Sequence, residues 1–356
     1  MDAPPGPPFT FMRSAVLPGR SRPSAGGRSG RVARNSMRTL LLNRSAVARN
    51  LQALLLLDDL REAFRTDVLA RTVAPQRVRA PLHSEGTAMV LFPGCVPGIP
   101  AYTVKVHAKF PAQQPAIQGV VHLHDLVTGG LLAVMDSGHL TAVRTGVVGA
   151  LAADVLARPD ATRVAVIGAG RQGVLQLKQL RLVRTLSQVR VHDTNIAHAN
   201  AYATRMYQEL NLPVRVETSV EDAVADADIV VTATWSHQPF LHAGMVRPGT
   251  HITALGADEP GKAELSRDLL EQSLFICDHR GLSVSTGAAG AVGLTEDAIH
   301  AELGEVLAGL KPGRTSQDQV TVFAGVGLPF QDLATAWHVY QAASGDADVP
   351  TLDFNA

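Results

Sequence analysis

The run Val164-Ala165-Val166-Ile167-Gly168-Ala169-Gly170-Arg171-Gln172-Gly173 places a G-x-G-x-x-G directly after a buried strand pattern and at the start of a helical one. Each glycine has a physical role. Gly168 allows a tight turn, Gly170 lets the backbone approach a pyrophosphate, and Gly173 permits close helix–strand packing. The helix N-terminus then offers free N–H groups and partial positive charge to phosphates. Alone the motif is weak, because glycine-rich strand-to-helix turns also serve packing.

Its surroundings strengthen it. Val164 to Ile167, Val189 to His192, Val214 to Val216, Ile229 to Ala233, His251 to Leu255 and Leu274 to Cys277 are strand-length apolar runs. Helical patterns separate the earlier ones, at Gln172 to Arg184 and Ala197 to Leu210. Such alternation predicts a mostly parallel sheet with helices on both faces. The second strand ends in Asp193, where a dinucleotide fold puts an acid on the adenosine ribose. An acid there repels a 2′-phosphate, which favours NAD over NADP. The competing reading is that Asp193 only caps the next helix.

Before Pro159 the texture differs. Leu40 to Leu42 reads as a strand, and Ser45 as the cap of a helix running through Leu51, Leu54, Leu55, Leu57 and Leu60 to Phe64. Residues 72–125 read as short strands separated by Pro and Gly, among them Ala101 to Val106 and Gly119 to Leu123, with a turn at Asp125 to Gly130. Leu131 to Met135 is a further strand, followed by an Ala/Val-rich helix from Leu140 to Leu156. Val320 to Phe323 is a late strand and Asp332 to Ala343 a last helix.

Residues 1–36 stand apart, with six Arg against one Asp, six Pro, five Gly and five Ser. Such a segment buries too little to offset its ordering entropy and reads as disordered. An organellar transit peptide, or a true start at Met37, are the other readings. The 356 residues carry 32 Lys+Arg against 32 Asp+Glu, which argues against a whole-molecule electrostatic role on nucleic acid or membrane. The densest apolar run, Leu51 to Leu57, falls far short of the ~20 residues that span a bilayer. Cys95 and Cys277 lie far apart and form no spaced ligand set, which points to a reducing, cytoplasmic setting. His122 and His124 share a strand face but have no third ligand at suitable spacing, so no metal site is expected.

Three blocks together resemble the ornithine cyclodeaminase/mu-crystallin family. They are Val134-Met135-Asp136-Ser137-Gly138-His139-Leu140-Thr141-Ala142-Val143-Arg144-Thr145, then Ala254 through Asp258-Glu259-Pro260-Gly261-Lys262-Ala263-Glu264-Leu265, and finally Val320 to Phe323 through Gly327 to Gln331-Asp332-Leu333-Ala334. The resemblance covers roughly residues 37–345. It implies an α/β fold in which a doubly wound, Rossmann-type NAD-binding domain (158–319) is inserted into a second α/β domain (37–157 plus 320–356) for substrate binding and homodimerisation. It also implies a substrate-carboxylate cluster of Arg77, Lys105 and Arg144, with Asp258 and Lys105 as the catalytic pair. Implied cofactor contacts are Gly168, Gly170, Arg171, Gln172, Gly173, Asp193, Thr232, Thr234, Lys262 and Gly325.

These residue types suit one chemistry. Guanidinium holds an α-carboxylate bidentately and orients the α-carbon for hydride transfer. A nearby carboxylate stabilises the iminium and relays its proton, and a lysine crowded by arginines has a lowered pKa useful near neutrality. Plainer roles compete: Arg144 neutralising a buried acid such as Asp136, Arg79 standing in for Arg77, Asp258 stabilising a turn. Lys109 reads as an exposed loop residue. Two departures from the family stand out. Val90 occupies a position that is acidic in ornithine cyclodeaminases, and Gly325 one that is ordinarily serine. The expected function is therefore an NAD(P)-dependent oxidoreductase interconverting a small α-amino acid and its imine. The alternatives are redox-neutral ornithine or lysine cyclodeamination and a non-catalytic nicotinamide-dependent binding protein of crystallin type.

Overall fold

The structure, a computed structural model, describes residues 38–71, 73–83, 87–110, 113 and 117–354. The expectation of disorder at 1–36 lies outside them. The first described half runs β1 (Thr39–Leu42), α1 (Arg44–Asn50), α2 (Ala53–Ala70), β2 (Val78–Pro81), β3 (Ala88–Gly94), β4 (Ala101–Lys109), β5 (Ile117–Asp125), β6 (Leu131–Asp136) and α3 (Ser137–Leu156). The helix expected from Ser45 to Phe64 is two helices. Asn43 caps the first through its side chain on the Ala46 N–H, and Leu51 and Gln52 turn extended, so the chain corners before α2.

Next come β7 (Arg163–Ile167), α4 (Arg171–Leu180), β8 (Gln188–His192), α5 (Ile196–Leu210), β9 (Val214–Val216), α6 (Val220–Val224), β10 (Ile229–Thr232), β11 (His237–Leu241), β12 (His251–Ala254), β13 (Ala263–Leu265), α7 (Arg267–Glu271) and β14 (Leu274–Cys277). The chain ends through α8 (Arg280–Ser285), α9 (Ala288–Ala291), β15 (Ala301–Glu302), α10 (Leu303–Leu307), β16 (Thr321–Ala324), α11 (Pro329–Ala343) and β17 (Thr351–Leu352).

Among the described residues two large sheets form. The seven-stranded one has the order β17-β1-β6-β5-β4-β3-β2, antiparallel except at β1–β6. The eight-stranded one is wholly parallel, β15-β14-β16-β12-β10-β7-β8-β9, and its order reverses between β7 and β10. Doubly wound sheets bind ligands at such a switch point, beyond the carboxyl ends of the strands.

The strand expected to return the chain to the first domain lies instead in the parallel sheet. Thr321–Ala324 is buried along its whole length between β12 and β14. A strand covered on both faces belongs in a parallel layer. Thr321–Ala324, expected with the first domain at 320–356, is thus part of the parallel layer.

α3 joins the two layers. It packs against α2, α4, α11 and β5, and most of its residues are buried. By length and composition alone this helix is apolar enough to cross a membrane, contrary to the expectation that rested on Leu51 to Leu57. Here it is a core helix, and small residues let neighbours close on it. A Cβ at Gly146 would lie 2.9 Å from Gln179 of α4 and 3.1 Å from the Leu175 carbonyl oxygen.

Candidate active site

In the seven-stranded sheet Phe92, Lys105, Val121, Met135 and Leu42 stand in one inward row across five strands. Lys105 is the one charged residue in that row and is 1% exposed. Its Nζ donates to Asp332 Oδ2 at 2.5 Å, and the other oxygen, Oδ1, accepts from Arg144 Nε at 3.1 Å. Arg144 Nη1 donates to Gln331 Oε1 at 2.9 Å. α11 begins with Pro329 at its first position, so Asp332 falls in the first turn, where the helix end favours a carboxylate. Arg77 completes the cluster. Its guanidinium stands 5.1 Å from the centre of the Phe92 ring, Lys105 Nζ is 4.1 Å from the same ring, and Arg77 Nη1 donates to the Asp258 carbonyl at 2.7 Å.

Burial lowers the Lys105 pKa to about 8, with Asp332 opposing the fall and Arg144 and Arg77 adding to it. The expected direction is present, but desolvation rather than arginine crowding leads it. For Asp332, burial pushes upward, yet Lys105 and Arg144 hold it below the usual carboxylate range. Arg144 does neutralise a buried acid, but that acid is Asp332. Asp136 instead caps α3, accepting from the His139 N–H at 2.7 Å.

The cluster faces the carboxyl edge of the parallel sheet. Asp258 follows β12, Gly325 and Gly327 follow β16, and Asp278 follows β14. Gly327 has a φ of 87°, and a Cβ there would come within 2.9 Å of Arg144 Nη1, so the loop lies flat on the guanidinium. Asp278 Oδ2 accepts from the Gly327 N–H at 2.7 Å and holds that loop down. Four buried atoms around this edge lack a partner within the protein: His107 Nε2, Ser137 Oγ, Asp278 Oδ1 and Gln331 Nε2. Buried polar groups are normally satisfied, so these atoms are open to a ligand or an ordered water.

The glycine turn fits a dinucleotide. Gly168 has a φ of 104°, and a Cβ there would sit 2.6 Å from the Ala233 carbonyl oxygen. At Gly173 a Cβ would sit 2.1 Å from the Gly168 carbonyl oxygen, while at Gly170 nothing lies within 4 Å. Two glycines therefore allow packing and the third leaves open approach to the backbone. Gly170 is the N-cap of α4 and offers no side-chain cap, leaving the first N–H groups of the helix for an anion. Asp193 Oδ2 accepts from the Ala169 N–H at 2.8 Å, which fixes the acid beside the turn. The cap of α5 is Asn195, not Asp193. Exposed Arg171 and half-buried Gln172, whose Oε1 lacks a partner, open the same helix.

Residues 37–347 match the family model of the ornithine cyclodeaminase/mu-crystallin family. The chain belongs to that family. Alanine dehydrogenase of Archaeoglobus fulgidus is 33% identical over 330 residues, 86% of this chain and 96% of that protein. An archaeal alanine dehydrogenase dimer with bound NAD superposes with a TM-score of 0.84 at 31% identity, covering 89% of this chain and 100% of that one. Δ1-Pyrroline-2-carboxylate reductase of Thermococcus litoralis, in complex with NADH and L-proline, gives 0.83 at 27% identity, covering 88% and 100%.

Within this ornithine cyclodeaminase/mu-crystallin chain, some expected residues hold other positions. Thr232 is fully buried and its hydroxyl donates to Glu264 Oε2. Thr234 donates to Glu264 Oε1 through both N–H and hydroxyl, and the Gly256 N–H donates to Oε2. One buried carboxylate thus ties the ends of β10 and β12. Lys262 Nζ is bound to Asp258 Oδ1 at 2.7 Å and lies 4.3 Å from the Trp235 ring centre. Lys109 is no loop residue. It ends β4, pairs with Glu259 at 3.1 Å and also lies 4.3 Å from the Trp235 ring centre. Gly325 donates its N–H to the Ala254 carbonyl at 3.2 Å. On β5, the His122 and His124 rings are 6.5 Å apart, and Tyr102 stacks on His124.

The sequence reading missed Asp332, Gln331, Glu264 and Asp278. The first three stand in blocks that carried the resemblance. An acid in an otherwise apolar run, as in Gln331-Asp332-Leu333-Ala334, signals burial with a cation partner.

Proposed function

We propose that the chain is an NAD-dependent oxidoreductase interconverting a small α-amino acid and its imine. The observation that carries this is the cluster of buried Lys105 and Arg144 with half-buried Arg77, the first two bonded to Asp332, at the carboxyl edge of a dinucleotide-type sheet. Three cations against two buried acids, Asp332 and Asp278, leave positive charge for an incoming carboxylate, and the family relatives act on, or are solved with, amino and imino acids. Arg144, pre-oriented by Asp332 and Gln331, would hold the substrate carboxylate, with Arg77 and Lys105 beside it. When bound, the nicotinamide supplies or accepts hydride.

Proton handling falls to Lys105 and Asp258. An amine with a pKa of about 8 exchanges its proton readily near neutrality, so Lys105 suits delivery to, or removal from, the substrate nitrogen. Asp258 would face the developing iminium once substrate draws it from Lys262. Gly168, Gly170, Gly173 and the first turn of α4 would hold the pyrophosphate, Asp193 the adenosine ribose, and the Thr234 and Gly325 loops the nicotinamide end. Repulsion between Asp193 and a 2′-phosphate supports NAD over NADP. The cofactor domain would then span 158–324 and the substrate domain 37–157 plus 325–356.

A homodimer is the proposed assembly. The outer face of the seven-stranded sheet carries Pro93, Val104, His122, Val134 and Leu41 in one row and Leu91, Val106 and Val120 in the next, all half-buried. An apolar sheet face of this extent suits a second copy, and the archaeal relative is a dimer. Two free cysteines favour a cytoplasmic setting.

Redox-neutral cyclisation of a diamino acid asks for an acid facing the distal amine, and buried, apolar Val90 does not supply one. The test is nicotinamide absorbance with amino acids plus NAD, and with cyclic imines, or oxo acids plus ammonium, and NADH. Net cofactor turnover supports the reading. Stoichiometric ammonia and proline from ornithine, without net NADH, supports cyclodeamination instead.

A further inference from the structure

We propose that His107 determines substrate specificity by accepting, at Nε2, a hydrogen bond from a neutral donor on the substrate side chain, a hydroxyl or a carboxamide. This rests on the α-amino and imino acid reading above and narrows the substrate class of the same site.

His107 lies two residues beyond Lys105 on β4, on the same inward face, about 7 Å further along the strand. It is 8% exposed. Its ring makes a hydrogen bond with the Ser137 backbone, while Nε2 has no partner. Nδ1 therefore carries the proton and donates to the Ser137 carbonyl, which leaves the Nε2 lone pair as a buried, unused acceptor. Burial and the neighbouring Lys105 ammonium hold the imidazole neutral, with a pKa near 3.

The surroundings define what satisfies that acceptor. Directly opposite on β3 is Val90, and directly opposite on β5 is Gly119, which has no side chain. Ser137 Oγ, also fully buried, is a second polar atom without a partner at this corner. The ligand end reaching it must bring a donor. A distal ammonium would stand beside the like-charged Lys105, two residues away on the same strand face. A distal carboxylate needs a protonated imidazole, which burial opposes. A neutral hydroxyl or amide N–H fits both constraints.

Matched pairs test this. Wild-type kcat/KM is compared for L-homoserine against L-norvaline and for L-serine against L-α-aminobutyrate, each pair exchanging a hydroxyl for a methyl. The expected preference for the hydroxyl member is about ten- to a hundredfold, the size of one hydrogen bond to an otherwise unpaired buried group. His107→Leu should bring both ratios to about one. His107→Gln, whose side-chain oxygen reaches the place of Nε2, should keep the hydroxyl ahead.

Equal wild-type rates within the pairs, or ratios unchanged in His107→Leu, overturn the proposal and leave the proposed function standing. A uniform loss across all substrates with weakened NADH binding also overturns it, and assigns Nε2 to the cofactor instead. If no amino or imino acid is turned over, the functional reading itself fails. Thermal shift of the NADH complex by the same pairs then still reads His107, and no preference for the hydroxyl member there overturns the proposal too.

Discussion

Lys105 donates to Asp332 across 2.5 Å with both side chains 1% exposed, while the second Asp332 oxygen receives Arg144 at 3.1 Å. One carboxylate from the last long helix thus fixes two cations from a strand and a helix more than 180 residues earlier in the chain.

Asp332→Ala strands both cations in a buried setting and should cost about 3–5 kcal/mol in denaturant unfolding. Asp332→Asn keeps the shape but removes the charge that holds the Lys105 pKa up, so that pKa should fall further below about 8. The limb of the kcat/KM profile due to Lys105 then moves to lower pH. An unmoved limb means that another group titrates.

Lys105 also makes stability depend on pH. Its ammonium loses a proton near pH 8 in the folded chain and near 10.5 when unfolded. Between those values the unfolded chain binds more protons, so the folded state gains relative stability as pH rises. Urea midpoints of wild type minus those of Lys105→Met should therefore climb from pH 8 to 10.5. A flat difference contradicts the assigned burial.

Glu264 accepts four hydrogen bonds that tie Thr232, Thr234 and Gly256 together. Burial pushes its carboxyl upward against those donors. Glu264→Gln places an amide N–H against donors already present and should cost about 1–3 kcal/mol. NADH titration should show weaker binding in the same variant, because the two loops it joins border the proposed nicotinamide end. Unchanged affinity limits Glu264 to stability.

Val104 sits mid-strand in the outer apolar row, between Pro93 and His122. Val104→Asp should yield a monomer in light scattering, with circular dichroism retained. A wild-type chain that is already monomeric removes the proposed interface.

Much of this was legible in the sequence because it follows from local pattern. The glycine turn, the apolar strand runs separated by helical patterns and the Ala/Val-rich α3 are all local features, and Asp193 directly follows its strand as expected. Strand order is not local. Nothing in Thr321–Ala324 says that it inserts between β12 and β14, because any buried parallel strand reads as the same apolar run. The break at Leu51 and Gln52 was hidden by continuous leucine spacing, and is fixed by tertiary contacts such as the Gln52 N–H on His338. Asp332 escaped assignment for the same reason. Its partners are distant in the chain, and only folding makes it the counter-ion of the site.

In the proposed function the Lys105, Arg144 and Arg77 cluster selects a carboxylate beside a nicotinamide. The most direct measurement is the initial rate of NADH formation from an α-amino acid against the matched amine lacking the carboxylate, in wild type and Arg144→Met. NADH from the acid and none from the amine in wild type, with the acid rate falling at least about a hundredfold in the variant, is the predicted result. Equal rates for acid and amine, or an Arg144→Met rate equal to wild type, would contradict it.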